Sequence, residues 1–284
     1  MNPIKLIFRL FLIGVCGIFF YEIIQLPSKE DFYQTVSNNM VTQHSDQNTT
    51  CLANEYWQDP KTSMDFIQIP GGCFQMGSPQ HEIGRHSDEG PIHEVCLNAF
   101  YLGRYEVTIA QFRLFIDQSN YQTDAEKQQY AWCYNGEWIK KKDFYWNHTG
   151  FDQTDAHPVI NVSWNDAQSM ANWMSTKTHR FRLPTEEEWE FACRGKTDSS
   201  RFWGEISDQA CTFSNVADQT AINIYPAWTV HSCHDGYIYT APVGSYQPNP
   251  FGLFDMMGNV WELCLNSYDS KGYTLLPYSV KKNA

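Results

Sequence analysis

The chain has 284 residues, carries 20 Lys+Arg against 32 Asp+Glu for a net charge of −12, and is 15% aromatic. Rings at that density exclude a disordered or coiled-coil chain, and the acidic balance excludes a surface that tracks nucleic-acid phosphates, so no nucleic acid is expected as a partner. The length suits one large domain or two small ones.

Lys5 and Arg9 precede an apolar run from Leu10 to Tyr21, the order found in a secretory leader. Read from Ile4 to Ile24, with both cations reaching back to the interface, the stretch attains the roughly 20 residues that a bilayer requires. Residues 1–25 are therefore expected to be a signal anchor or signal peptide, in contact with the membrane. Positive charge on its N-terminal side leaves the remainder extracytoplasmic, in a periplasm or at a cell surface. Residues 26–63 are polar, lack hydrophobic periodicity and read as a tether, and residues 64–284 as the domain proper. Cys51, Cys73, Cys96, Cys133, Cys193, Cys211, Cys233 and Cys264 all follow the apolar run. An even set in an oxidising compartment reads as disulfides. Their irregular spacing, without Cys-x-x-Cys, disfavours structural zinc and leaves the pairing open.

Phe66 to Pro70 alternates apolar and polar residues before Gly71-Gly72, and Cys73 to Ser78 follows as a second strand, so the two are expected to form a hairpin. Three helix starts carry capping-box spacing: Thr108 with Gln111, Ser163 with Asp166, and Thr185 with Glu188. Behind them, Ile109, Phe112, Phe115 and Ile116 share one helical face. Ala167, Met170, Ala171 and Met174 share another with Trp173 at its edge, and Trp189 and Ala192 face inward on the third. His81, His86 and His93 lie at irregular spacing in an acidic loop and read as solvated. Elsewhere the chain is rich in Gly, Pro, Asn and Asp without a repeat period, so the fold class is α+β with low regular secondary structure.

Several segments together resemble the formylglycine-generating enzyme family, also called the sulfatase-modifying factor family. They are Ile69-Pro70-Gly71-Gly72-Cys73-Phe74-Gln75-Met76-Gly77-Ser78, Pro91 to Val95, Tyr105-Glu106-Val107-Thr108, and His157 to Trp164. The most specific are Arg182-Leu183-Pro184-Thr185-Glu186-Glu187-Glu188-Trp189-Glu190-Phe191-Ala192 and Gly252 to Glu262, which reads GLFDMMGNVWE. Order and spacing match over residues 64–266. The resemblance implies a loop-rich, C-type-lectin-like α+β fold. Trp164, Trp189 and Trp261 are expected in its core, as packing rather than chemistry.

The same resemblance implies structural Ca²⁺ held by oxygen ligands. Asn215 and Asp235, with the carbonyls of Val216 and Tyr237, would form one site. Asp255 and Glu262, with the carbonyls of Gly258 and Val260, would form a second. Carboxylates mixed with carbonyls, and Gly where the backbone turns sharply, are what this hard cation accepts; as plain turn residues, Asp235 and Asp255 would instead make Asx bonds. A Cys211–Cys233 disulfide would brace the first site, and Cys73–Cys96 on neighbouring strands is a second plausible pair.

Oxidases of the family bind copper(I) through two C-terminal cysteines and convert a sulfatase cysteine to formylglycine. Those cysteines follow an Arg-Gly-Gly-Ser-Trp segment, and the domain closes on Gly-Phe-Arg. After Glu262 neither is present, Leu263 stands where an aromatic is usual, and Cys264 matches a structural position. The copper site is therefore expected to be absent and the domain C-terminally incomplete, the chain being a truncated or frameshifted product or a divergent member with its own ending; a frameshift over Leu275 to Ala284 is preferred, since that stretch resembles none of the motifs. No catalytic residue is assigned. The reading is an exported member of this family lacking the catalytic cysteine pair, with a sulfatase or other exported polypeptide as partner. The alternatives are a non-enzymatic, calcium-braced binding scaffold or an inactive truncated product.

Overall fold

The computed structural model describes residues 56–82, 84–134 and 138–267, together with the backbone of residues 4–6, 16–17 and 21–24. In chain order the strands are β1 (Ile4–Leu6), β2 (Cys16–Gly17), β3 (Tyr21–Ile24), β4 (Tyr56–Gln58), β5 (Asp65–Ile69), β6 (Gly72–Met76), β7 (His93–Leu97), β8 (Phe100–Gly103), β9 (Tyr130–Tyr134), β10 (Trp138–Lys142), β11 (His179–Arg182) and β12 (Trp261–Ser267). The helices are α1 (Ile109–Ser119), α2 (Asp124–Gln128), α3 (Trp164–Met174), α4 (Glu186–Arg194) and α5 (Ala210–Phe213).

A five-stranded antiparallel sheet, ordered β11-β3-β8-β5-β4, divides the core into two layers. Successive side chains on a strand face opposite ways, and β5 uses both faces. Phe66 enters one cluster with Phe112, Phe115, Met170 and Phe181 under α1 and α3. Ile67 and Ile69 enter the other with Leu102, Trp189, Phe191 and Leu253. Each ring fully buried in this way contributes about 1.5–3 kcal/mol over an exposed one. β12 straddles the layers likewise, with Leu263 in the first and Cys264 in the second.

All three expected caps form, each with both bonds of a capping box. The expected apolar faces are buried at Ile109, Phe112 and Phe115, at Ala167, Met170, Ala171 and Met174, and at Trp189 and Ala192, while Ile116 and Trp173 pack at the margin. A fourth box, Thr123 with Glu126, starts α2. On α4, Glu188 does two jobs: it accepts from the Thr185 N–H at 2.8 Å and receives the Arg182 guanidinium through two 2.7 Å bonds. Replacing Thr185 by Ala removes the bond from the Glu188 N–H and should cost about 1 kcal/mol, a fall of about 2–4 °C in the melting temperature readable by scanning calorimetry.

Two expectations differ from what forms. β5 and β6 do not make a hairpin: β5 pairs with β4 and β8, and β6 pairs with β7. Gly71 permits the break, since a Cβ there would sit 2.8 Å from the Leu97 carbonyl oxygen and 2.9 Å from the Ala99 nitrogen. β4, Tyr56–Gln58, lies inside the stretch read as tether and forms the edge of the sheet beside β5. In the segment expected as a signal anchor or signal peptide, the described backbone forms β1 and β2, which flank β12, and β3, between β11 and β8. The rest of residues 1–25, and residues 268–284 with the expected frameshifted end, lie outside the described residues. No described helix is long and apolar enough to cross a membrane.

Among the described residues two disulfides form, Cys73–Cys96, directly opposed in the β6–β7 ribbon, and Cys211–Cys233. Cys133, Cys193 and Cys264 are not disulfide-bonded. Trp189 is buried, whereas Trp164 and Trp261 are half-buried; the Trp164 indole N–H donates to the Cys264 carbonyl at 3.0 Å and ties α3 to β12.

Candidate metal centre

The loops after α4 are carried to one place by backbone bonding. Asn249 closes the end of α4, donating to the Ala192 carbonyl at 2.7 Å while its Oδ1 accepts from the Phe251 and Leu253 N–H groups. This lays residues 249–262 against the helix. From the other side, the Phe254 N–H donates to the Arg104 carbonyl at 3.1 Å, and the Tyr105 and Phe254 rings lie 4.9 Å apart. The segment Arg104-Tyr105-Glu106 is thereby fixed beside Asp255 and Glu262.

Glu106, Asp255 and Glu262 are all buried, and each has one oxygen satisfied and one without a hydrogen-bond partner. Glu106 Oε2 accepts from Asn259 Nδ2 at 2.7 Å. Asp255 Oδ2 accepts from the Gly244 N–H at 2.7 Å. Glu262 Oε2 accepts from the Trp189 indole N–H. The orphan atoms are Glu106 Oε1, Asp255 Oδ1 and Glu262 Oε1, with Ser214 Oγ also unpartnered. No Lys, Arg or His among the described residues forms an ion pair with any of the three.

Burial is the main force raising all three carboxyls. It lifts Asp255 to about 7, and with Asp255 and Glu262 as like-charged neighbours it holds Glu106 well above the ordinary carboxylate range. Burial does the same for Glu262, which the Trp189 bond lowers and Asp255 raises. Three buried carboxylates without a counter-charge are costly unless protonated or neutralised by a cation. The expected carbonyl donors adjoin them: Gly258 O accepts the Val260 N–H at 2.8 Å, and Val260 is fully buried. The set of hard oxygens fits Ca²⁺ on donor chemistry and on its unpartnered atoms.

The other predicted set also comes together. Both Asp235 oxygens accept main-chain bonds, Oδ2 from the Val216 N–H at 2.7 Å and Oδ1 from the Tyr237 N–H at 2.8 Å. Burial lifts Asp235 to about 6 despite those bonds. Asn215 Nδ2 donates to the Tyr239 carbonyl at 2.6 Å and to Asn259 Oδ1 at 3.1 Å, so the oxygen is the only atom of this amide with the chemistry of a cation ligand. Asp218, fully buried, stands behind this set and accepts from the Asp235 and Thr220 N–H groups. Ligand-type atoms of Cys211, Asp218 and Asp235 lie within 4.8 Å of one another. The Cys211 sulfur is spent in the disulfide, so the usable part of that group is the two carboxylates.

Sequence reasoning named Asp255 and Glu262 but missed Glu106, Asp218 and Asn259. Glu106 was within a quoted motif, Tyr105-Glu106-Val107-Thr108, where an acidic residue just before a helix cap among apolar neighbours was the available signal. Trp189 was read as packing; it packs and also holds a site carboxylate.

A loop-rich α+β domain with these paired oxygen-lined loops matches, over residues 53–283, the family described as the sulfatase-modifying factor enzyme 1-like domain. The chain belongs to this family, the one that contains the formylglycine-generating enzymes. It is 35% identical over 223 residues to a formylglycine-generating enzyme from Thermomonospora curvata, covering 70% of each protein. It is 30% identical over 236 residues to the inactive C-alpha-formylglycine-generating enzyme 2 of Bos taurus, covering 73% of this chain and 72% of that one. Among solved structures it resembles PvdO from Pseudomonas aeruginosa, with a TM-score of 0.59 and 26% identity over 79% of this chain and 78% of that one. The match begins ahead of the expected boundary at residue 64 and takes in β4.

Proposed function

We propose that this chain is an extracytoplasmic, calcium-braced member of the formylglycine-generating enzyme family that serves as a binding scaffold for an exported polypeptide, a sulfatase among the candidates, and not as a copper oxidase. The observation that carries the bracing is the triad of Glu106, Asp255 and Glu262, each buried with one unpartnered oxygen. Asp255, Glu262 and Glu106, with the Gly258 and Val260 carbonyls, would hold one Ca²⁺. Asn215 and Asp235, with the Val216 and Tyr237 carbonyls, would hold the other. Bound there, the ions neutralise the buried charge and pin loops that have little regular structure of their own.

Against copper chemistry stands the state of the described thiols. A cuprous ion takes thiolates. Burial raises the Cys264 thiol well above its ordinary range, with Glu262 adding to the shift, and burial raises Cys133 too. The Cys193 thiol donates to the Met256 carbonyl at 3.4 Å inside the second core layer. These residues do not fit a copper site, and no step is derived through one. The name of the bovine relative, inactive although of the same family, is consistent with a scaffold role.

Export is supported by the two disulfides, which persist in oxidising compartments, and by the charged and apolar order of the first 25 residues. Residues 21–24 cannot pair with β8 and β11 while crossing a bilayer, so tethering by this segment would require β3 to leave the sheet.

The test supplies the full chain with Cu(I), oxygen and a peptide bearing a sulfatase cysteine motif, and reads aldehyde by mass spectrometry. The expected result is an unmodified cysteine together with retained binding of the peptide's parent sulfatase. Turnover to formylglycine would overturn the scaffold reading in favour of the oxidase that the Thermomonospora curvata relative is named as.

A further inference from the structure

We propose that Asn259 couples the two cation sites, so that filling either one raises the affinity of the other. The inference rests on the calcium reading above and adds to it a positioning residue that belongs to neither predicted ligand set.

Asn259 is 2% exposed and has a backbone φ of 65°, a left-handed conformation that Asn tolerates better than most residues. Its side chain bonds in both directions. Nδ2 donates to Glu106 Oε2 at 2.7 Å and to the Ala241 carbonyl at 3.2 Å. Oδ1 accepts from the Ala241 N–H at 2.8 Å and from Asn215 Nδ2 at 3.1 Å. Two donor and two acceptor positions are thus used, the full capacity of an amide. The main chain adds a further link, the Asn259 N–H donating to the Asn215 carbonyl at 2.8 Å.

Glu106, held by Asn259 through Oε2, keeps Oε1 without a partner, and Asn215, held by Asn259 through Nδ2, belongs with Asp235 to the other predicted ligand set. One amide therefore fixes the orientation of an oxygen donor at each site. An ion that immobilises Glu106 holds Asn259 in register, and Asn259 fixes the Asn215 amide through its Nδ2 bond. The second ion then meets a ligand already ordered, and the ordering cost is borne once for two binding events. Because the coupling is a free energy between sites, it must be reciprocal.

The test is calcium titration of the full chain by isothermal calorimetry. Site-one affinity is compared between wild type and Glu262→Gln, and site-two affinity between wild type and Asp235→Asn. Each single-site loss is expected to weaken the remaining site by the same factor, about five- to tenfold on the usual scale of coupling. In an Asn259→Gly background, which relieves the positive φ and deletes the amide, that factor should fall to about one. Should Asn259→Gly fail to fold by far-UV circular dichroism, Asn259→Asp takes its place, since it keeps the shape but lacks the donor to Glu106. Two ions bound to wild type with the remaining site unaffected in both single-site variants would overturn the coupling and leave the calcium reading standing. Coupling that survives undiminished without the Asn259 amide would overturn the role of this residue. No calcium bound to wild type would overturn both.

Discussion

Calcium should raise the melting temperature of the full chain by about 5–10 °C for each site filled, and a chelator should remove the gain. An ion at a hundred times its dissociation constant contributes about 2.7 kcal/mol to the native state, and in a domain of this size each kcal/mol is worth about 2–4 °C. The size of the effect follows from what the ion replaces. Without it, the buried carboxylates either carry unpaired charge or hold protons, and both states leave oxygens unmatched.

The pH dependence makes this sharper. Asp235 and Asp255 sit near 6 and 7 in the folded chain, against 3.8 ordinarily. Between those limits the native state binds more protons than the unfolded state, so metal-free stability falls as pH rises through this window. With calcium bound, the same groups are ionised on the metal and acidification displaces it, so the slope reverses. Thermal scans in EDTA and in millimolar calcium should therefore nearly coincide at pH 5 and separate widely at pH 8. Identical curves in chelator and calcium at both pH values would defeat the assignment.

Gly258→Ala should lower the melting temperature by about 6–12 °C and weaken calcium binding at both sites. A Cβ at this position would lie 2.2 Å from Ser214 Oγ and 2.3 Å from the Asn215 carbonyl oxygen. The serine hydroxyl can rotate away, but the carbonyl is main chain and already accepts the Asn259 N–H. Relief therefore demands separation of the 214–216 strand of loop from the 255–262 loop, overpacking of the kind that costs about 1–3 kcal/mol, here at the upper end. Gly236→Ala provides the contrast. Gly236 has a φ of +95° but nothing within 4 Å of a would-be Cβ, so backbone strain acts there without a steric clash. If Gly258→Ala melts within a degree or two of wild type, the close approach of the two loops is not a constraint on the fold.

How far the sequence discloses this arrangement depends on the range of the interaction. Caps at Thr108, Ser163 and Thr185 are local, three residues from donor to acceptor, and all are legible. The fourth, Thr123 with Glu126, has the same spacing but heads a helix of only five residues, too short to show an apolar stripe. Strand pairing was legible only where spacing constrains it. Gly71-Gly72 suggested a hairpin, but alternation cannot distinguish a neighbour across a turn from Phe100–Gly103 further along, and β5 takes the latter. The candidate site shows the same division. Asp255 and Glu262 lie in one motif, whereas Glu106 reaches Asn259 across 153 positions. Such a contact leaves no local periodicity, and only the folded sheet reveals it.

The bond between the Trp189 indole and Glu262 has an optical consequence. An indole's emission responds to the charge nearest its pyrrole nitrogen, and here that charge is a carboxylate of the candidate centre. The indole is an intrinsic fluorophore bonded to one carboxylate of the candidate centre, in a core position shielded from solvent quenching. A cation taken up at Glu262 should register in the unlabelled chain as a change of colour, in real time and separately from any measurement of heat.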